Sequence, residues 1–359
     1  MKRYFFLALL HCCVVAAMAQ TQLNNYQPGV TPEGAVYFLP KTAIKFHVLV
    51  EKSTFQPGDF ARYAHRYLRL IDVAQEPSVS CRLLSVRQEP VAIADSTKAY
   101  AVKFNAKTVA ANVALSQEGC LLAINATPTK AVNDFQPFEA APKKAAVNPR
   151  TLLNEEILAA GSTAKMAELT AREIYDLREN RNLLIKGQAD FMPQDGAQLK
   201  LMLNQLEEQD KALTSLFIGT TQKDTTEFVV TATPDGPFTR QLLFRLSDVN
   251  GVVDTDDLSG TPYYLTVEDL NTVPPVDEEA AAKSKKKPFE AGIFVNVPGR
   301  MRVTLYDGIS PIQTEEHPAP QFGNVELLSG ELFNKRYTTH LWINRLTGAV
   351  ERLEAEQPK

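Results

Sequence analysis

The sequence predicts an α+β fold, in which two β-rich domains with antiparallel, sandwich-like sheets are joined by a central α-helical hairpin. Short alternating apolar runs fill residues 20–133, two amphipathic helical stripes fill 151–219, and strand-like runs return over 220–359. The length of 359 residues agrees with this division, because about 150 residues per domain leaves room for two cores.

The predicted N-terminal domain contains strands and one short helix. Pro57 and Gly58 are typical of a turn, and Asp59 can cap a helix that reaches Leu70. The predicted strands of this domain cover residues 35–50, 78–86, 100–104, 109–115 and 120–125.

A linker is predicted over residues 134–150, where prolines recur without sustained periodicity. In the hairpin that follows, the first helix is expected to end at Gly187. The second begins with a capping pattern at Asp195 and Gln198 and ends at Gly219. Because each helix has one apolar stripe, the two are expected to pack against each other.

The C-terminal domain is predicted to be an antiparallel sheet whose strands are separated by glycine-containing turns. Residues 272–288 interrupt it with an acidic triplet and a lysine run, and this loop is predicted to be disordered. The predicted strands cover residues 227–232, 240–247, 263–267, 292–297, 300–306, 325–328, 340–344 and 349–353. The predicted turns are Asp235-Gly236, Asn250-Gly251, Pro298-Gly299, Asp307-Gly308 and Thr347-Gly348.

Residues 1–19 have the pattern of a cleavable signal peptide. Lys2 and Arg3 precede an apolar run, and Ala17-Met18-Ala19 forms a small-residue cleavage site before Gln20. No later run reaches the roughly 20 apolar residues that a transmembrane helix needs. The sequence therefore predicts an exported protein without a transmembrane segment.

The charge of the chain argues against nucleic-acid binding. The formal net charge is -4, whereas phosphate contacts require a basic face. The sequence contains neither a Walker pattern nor a Gly-x-Gly-x-x-Gly pattern. We expect no nucleotide and no other cofactor.

Cys81 and Cys120 are the two cysteines that remain after signal cleavage, and both lie in strand-like segments. In an exported protein they can form a disulfide, which would stabilise the fold by roughly 3 to 4 kcal/mol. The alternative is a pair of buried thiols that pack as small apolar side chains. The sequence leaves both possibilities open.

One acidic cluster resembles part of a calcium loop. Its spacing fits the first and third ligand positions of an EF-hand, but Val252 and Val253 occupy later positions where a ligand and a glycine are needed. We therefore predict a turn with solvated acids and no metal site. The residues of this cluster are Asp248, Asn250, Asp254, Asp256 and Asp257.

The four histidines after the signal are far apart in sequence and form no local metal-binding pair. They are His47, His65, His317 and His340. Folding could bring His47 and His65 together, but isolated histidines more often have structural roles. The sequence also contains no Gly-x-Ser-x-Gly nucleophile motif.

Six blocks of the sequence are distinctive in combination: residues 37–42, 55–68, 192–196, 212–217, 256–260 and 262–264. Together they resemble an exported family of Bacteroidota catalogued as domain of unknown function 4831. The resemblance covers nearly the whole mature chain and implies a location in a Gram-negative envelope, in the periplasm or on the outer surface. It implies no activity, substrate or catalytic residue.

We interpret the sequence as that of a non-enzymatic binding or scaffolding protein, which contacts an envelope protein or glycan through sheet edges and the helical hairpin. The alternative is a hydrolase of envelope glycan or peptide, with Asp254, Asp256 or Asp257 as acid and base. A deep pocket with two carboxylates, or with an acid and a histidine, would favour the hydrolase.

Overall fold

The structure is a computed structural model, and it confirms that the protein is β-rich with several antiparallel sheets. The predicted signal peptide and most of the predicted disordered loop lie outside the described residues. The described residues are 24–25, 35–102, 112–130, 135–140, 142, 147–193, 195–274, 292–333 and 337–357.

The first sheet consists of β1 (Asn24–Asn25), β2 (Ala35–Gln56), β3 (Ser78–Val102) and β6 (Thr220–Ala232), in the order β1-β3-β2-β6. Ile44, Phe46 and Val48 of β2 are buried in a core on one face of this sheet. His47 lies on the opposite face, because side chains alternate along a strand.

Strand β3 is longer than the sequence predicted, since it joins the predicted strands 78–86 and 100–104 into one element that reaches Val102. Pro90 lies within it. A proline removes one backbone donor and is tolerated at a sheet edge. Within the described residues only β1 pairs with the outer edge of β3, at Tyr100 and Ala101, so most of that edge can accommodate a proline.

The second sheet has the order β11-β10-β9-β7-β8 and packs on the first. Leu265, Val303 and Leu305 from this sheet share one core with Phe46 and Val48 from β2. Its strands are β7 (Phe238–Ser247), β8 (Gly251–Val253), β9 (Thr261–Asp269), β10 (Gly292–Asp307) and β11 (Ser310–Ser329).

The predicted turn at Pro298-Gly299 is wrong. These residues lie inside β10, where the register with β11 shifts between Val297 and Gly299. A β-bulge accommodates the missing donor of the proline without ending the strand. A Cβ at Gly299 would lie 2.7 Å from the carbonyl oxygen of Phe322, so the glycine permits the close approach of the two strands.

The third sheet consists of β4 (Val113–Leu115), β5 (Leu121–Ile124), β12 (Thr338–Ile343) and β13 (Val350–Glu356), in the order β13-β12-β5-β4. It contributes Ile124 and Leu341 to a second core that also contains Tyr37 of β2. The hydroxyl of Tyr37 accepts a hydrogen bond from Phe294 N at 2.8 Å. This contact joins β2 to β10 inside the second core.

Strands from both sides of the predicted linker share sheets. Strand β2 pairs with β6 from Ile44↔Ala232 to Gln56↔Thr220, and Leu341 of β12 pairs with Ile124 of β5. This differs from two separate β domains. The physical reason is that apolar faces of both regions are buried in common cores.

The two long helices are α3 (Thr163–Lys186) and α4 (Gly196–Ile218). Arg178 binds Asp210 and Arg181 lies 3.9 Å from Glu207, which gives the two helices an antiparallel register. The short helices are α1 (Ala64–Leu68) and α2 (Glu155–Leu158), with 3₁₀ turns at Ala61–Tyr63, Pro149–Leu152 and Gly330–Phe333. No helix in the described ranges is long and apolar enough to cross a membrane.

Gly58 brings the end of α4 close to the chain that leaves β2. A Cβ at Gly58 would lie 2.2 Å from the carbonyl oxygen of Leu216, and Phe60 N donates to that oxygen at 2.7 Å. Asp59 does not cap the helix as predicted, because its carboxylate accepts hydrogen bonds from Arg150. The predicted helix is reduced to a 3₁₀ turn and the short α1.

Candidate functional site

A groove of about 690 Å³ lies between β3 and the turns of the third sheet. This volume is within the usual range for small-ligand sites, roughly 300–1,000 Å³. The apolar lining residues are Pro90, Val91 and Ala92 of β3 and Leu346 of the β12–β13 turn. The polar lining residues are Glu89, Ser116, Glu118, Cys120, Thr129, Lys130, Asn344, Arg345 and Glu351.

The β4–β5 turn forms one wall of the groove and is held by its own side chains. Ser116 Oγ accepts a hydrogen bond from Cys120 N at 3.1 Å, and Gly119 has a φ of +82°, a conformation that favours glycine. Phe38 N donates to the carbonyl oxygen of Gly119 at 3.0 Å. These contacts attach the turn to β2 and fix the position of Glu118.

The β12–β13 turn forms the opposite wall. Asn344 Oδ1 accepts hydrogen bonds from the backbone nitrogens of Leu346 and Thr347, both at 3.0 Å, as short polar side chains do in turns. Gly348 has a φ of +70° and lies so close to Pro40 that a Cβ would be 2.6 Å from its ring. The turn therefore packs on β2 and presents Arg345 to solvent.

Charges of both signs surround the groove. Lys130 and Arg345 are exposed, and within the described part of the chain neither forms an ion pair. The pKa of Glu118 is lowered by a hydrogen bond with its own backbone, by another with Ser116 and by the nearby charge of Arg345. Glu351 accepts a hydrogen bond from Thr129 Oγ1 at 3.3 Å. Arg345 thus interacts with Glu118 at longer range, but neither Arg345 nor Lys130 lies within ion-pair distance of a described carboxylate.

Glu89 connects the groove to a buried histidine. His47 Nε2 lies 3.0 Å from Glu89 Oε2, and His47 Nδ1 lies 3.5 Å from Glu227 Oε1. Arg87 binds the same Glu227 oxygen at 3.1 Å. The ring of Phe135, from the predicted linker, lies 3.9 Å from the His47 ring. The cluster is therefore an acid–histidine pair covered by an aromatic ring.

Sequence reasoning did not find this acid–histidine pair. His47 lies opposite Arg87 and Val229, and the neighbouring pairs Lys45↔Glu89 and Leu49↔Glu227 place both carboxylates on the same face. The only sequence feature that bears on this pair is the alternation of side chains along β2. It places His47 on the face of the strand opposite Phe46 and Val48. The partners come from strands that the sequence does not pair.

The family is shown by a match over most of the chain. A family model described as a domain of unknown function, DUF4831, matches residues 33–351. The chain belongs to this family. No curated protein and no solved structure matches the chain. Every residue that lines the groove lies inside the region covered by DUF4831.

Cys81 and Cys120 do not form the disulfide that the sequence allowed. Both are free and buried. Cys81 pairs with Lys52 and Cys120 with Phe38, so their neighbours on β2 are separated by most of that strand. At about 3.3 Å per residue this separation far exceeds the roughly 7 Å limit for a disulfide. Burial raises the pKa of the Cys120 thiol.

The acidic cluster that resembles part of a calcium loop lies on exposed turns away from the groove. Asp248 and Asn250 are at the β7–β8 turn, and Asp254, Asp256 and Asp257 follow β8. Asp257 accepts a hydrogen bond from Ser259 N at 2.9 Å, and bonds from Ser259 lower its pKa. The described residues contain no group of three or more His, Cys, Asp or Glu arranged to hold a metal ion.

The remaining histidines are separate from the groove. His65 is exposed on α1 and is not paired with His47. His317 is buried between the first two sheets, with Nε2 2.9 Å from Gln88 Oε1. His340 Nδ1 lies 2.5 Å from the carbonyl oxygen of Asn125. Within the described residues, only His47 joins a carboxylate of the groove.

Proposed function

We propose that the protein is a non-enzymatic binding protein of the cell envelope, and that its groove holds an extended acidic segment of a partner protein. The observation that carries this proposal is the pair of exposed cations, Lys130 and Arg345, which have no ion-pair partner among the described residues and line the same groove as four apolar side chains. Such an arrangement attracts carboxylates and fixes their orientation.

The apolar residues of the groove support a peptide rather than a small ion as the ligand. Pro90, Val91, Ala92 and Leu346 offer a surface on which apolar side chains can be buried. An acidic side chain of the same segment can then reach Lys130 or Arg345. The locally held Glu118 and Glu351 repel a second acidic side chain, so the groove selects segments in which acidic and apolar residues alternate.

The proposal is tested by selecting peptides from a displayed random library on the purified protein. We expect enrichment of sequences that combine acidic and apolar residues, and loss of this enrichment in the variant Lys130→Glu/Arg345→Glu. The matched control is Lys186→Glu/Lys200→Glu, which reverses two exposed cations on the helices. Failure to enrich any peptide, or equal enrichment by both variants, would contradict the proposal.

The envelope location is part of this proposal. Its support is the positive, apolar and small-residue pattern of residues 1–19, and we infer export to the periplasm or outer surface of a Gram-negative bacterium. The test is cell fractionation followed by N-terminal sequencing. We expect a chain that starts at Gln20 in the envelope fraction, whereas an intact Met1 in the cytosol would contradict export.

A second candidate function is a hydrolase of envelope peptide or glycan. It is favoured by the 3.0 Å contact between His47 and Glu89, because Glu89 also lines the groove. Against it, His47 is 8% exposed and is covered by Phe135. If the protein cleaves a selected peptide or an envelope glycan, Glu89→Gln should abolish cleavage but retain binding. Product formation by Glu89→Gln would exclude this role.

A further inference from the structure

Strand β6 has one unpaired edge. It forms the end of the first sheet and pairs with β2 along its whole length, from Thr220 to Ala232. No strand in the described ranges pairs with its other side. The residues from Thr220 to Lys223 are exposed. Among the described residues, the backbone donors and acceptors of this edge therefore have no strand partner.

The other long edges of the two large sheets carry features that oppose strand pairing. Strand β11 contains Pro311, Pro318 and Pro320, and β3 contains Pro90. Prolines interrupt an edge because they lack a backbone donor. Strand β6 contains no proline, and its register with β2 has no shift. It is a regular edge on which another strand can be added.

We propose that two copies of the chain associate through their β6 edges, antiparallel about a twofold axis at Thr225, and form one continuous sheet. The β6 edge and strand β3, whose residues line the groove, lie on opposite sides of β2 in the first sheet. The association therefore does not depend on the proposed binding function. The partner is a second copy because, in one antiparallel register, the positive charge of β6 in each copy lies opposite a negative charge of β6 in the other copy.

The twofold symmetry restricts the register. A twofold axis between two antiparallel strands passes between two copies of the same residue, so one residue must lie opposite its own copy. That central pair can be of the hydrogen-bonded or the non-hydrogen-bonded type. A centre at Lys223, Asp224 or Glu227 places like charges opposite each other, which is destabilising. A centre at Thr225 places Lys223 opposite Glu227 twice. A centre at Thr226 provides no such ion pair.

The Thr225 register also agrees with the burial of the strand. Lys223 and Glu227 lie on the face of the sheet opposite the core, whereas Phe228 and Val230 pack against the core. Both ions already have partners within their own copy, since Lys223 lies 3.5 Å from Glu51 and Arg87 binds Glu227. Pairing across the axis extends these contacts into a charge network and does not bury an unpaired ion.

The first test is a disulfide across the axis. Opposite Cα atoms in an antiparallel ladder are about 4.5 to 5.5 Å apart, within the range that a disulfide can join. The variant Thr225→Cys should therefore form a covalent dimer on oxidation. The control Thr231→Cys places a thiol on the same strand and face, where Gly219 of the second copy is opposite. Equal crosslinking of both variants, or none at Thr225→Cys, would overturn the register.

The second test exchanges the charges between copies and is followed by sedimentation velocity, with circular dichroism to verify folding. Lys223→Glu alone and Glu227→Lys alone should each be monomeric, because like charges then meet twice. A mixture of the two variants should form a dimer, since every opposing pair is again complementary. An unchanged protein that is monomeric at all concentrations, or a mixture that stays monomeric, would show that β6 does not pair with itself.

Discussion

His317 and Gln88 connect the two large sheets inside the main core, with 2.9 Å between His317 Nε2 and Gln88 Oε1. His317 is 5% exposed and Gln88 is 8% exposed. Burial lowers the pKa of His317, and the nearby carboxylate of Glu315 opposes this shift. The core therefore contains a histidine whose neutral form is favoured by folding.

His317 should contribute to the pH dependence of stability. Because its pKa is lowered in the folded state, the unfolded chain binds this proton at a higher pH, and the ordinary value is about 6.5. The free energy of unfolding should be retained above this pH and should fall as the pH decreases below it. Urea denaturation at several pH values measures the slope. His317→Gln should reduce the slope, whereas His65→Gln, at an exposed site on α1, should leave it unchanged.

Asn296 should be important for stability. It is 1% exposed, and its Nδ2 donates to the carbonyl oxygens of Pro40 and Thr347 at 3.0 and 2.9 Å. Asn296→Ala removes both of these buried hydrogen bonds, which should cost about 1 to 3 kcal/mol. Chemical denaturation measures this loss. The control Asn324→Ala removes the exposed bond to Pro274 and should cost far less. Similar losses in both variants would contradict the prediction.

Gly58 should not tolerate a side chain. The Cβ of Gly58→Ala would overlap the backbone of Leu216, so the end of α4 or the start of the 3₁₀ turn must move. We expect a clear decrease in the melting temperature, from a destabilisation of about 2 kcal/mol or more. Gly236→Ala is the control, because nothing lies within 4 Å of its Cβ position. If both variants melt together, the close approach at Gly58 has no energetic importance.

The two buried thiols predict a specific labelling pattern. In a chain that begins at residue 20, the folded protein should react slowly with iodoacetamide because Cys81 and Cys120 are buried. After unfolding in denaturant without a reductant, intact-mass spectrometry should show a label at both residues. A mass without labels until a reductant is added would demonstrate a disulfide and would contradict the observed positions of these residues.

The helix ends could be predicted because their signals are local. Gly187 ends α3 with a φ of 68°, and Asp195 caps α4 by accepting a hydrogen bond from Gln198 N at 2.6 Å. Gly219 follows α4 as expected. Each of these contacts joins residues a few positions apart, so the pattern in the sequence was sufficient. Strand boundaries were less accurate, because tertiary packing extends β3 and β10 through their prolines.

The candidate site could not be predicted, because its residues come together only through contacts between distant parts of the chain. The groove is formed by residues 89–92, the β4–β5 turn, residues 129–130 and the β12–β13 turn. These segments are far apart in sequence, so no local motif connects them. The contact between His47 and Glu89 depends on the register of β2 with β3. The acidic run at Asp254–Asp257 is a local pattern that the sequence offers as a candidate site, but it lies on an exposed turn.

The pairing of β5 with β12 also has a consequence for how the gene can be altered. Asn125 Nδ2 donates to the carbonyl oxygen of Thr339 across 214 positions, so synthesis must nearly finish before the third sheet can close. A premature stop codon before β12 would leave β5 paired only with β4. Neither half of the chain can then be exchanged between homologues as an independent module, because each supplies strands that complete the other.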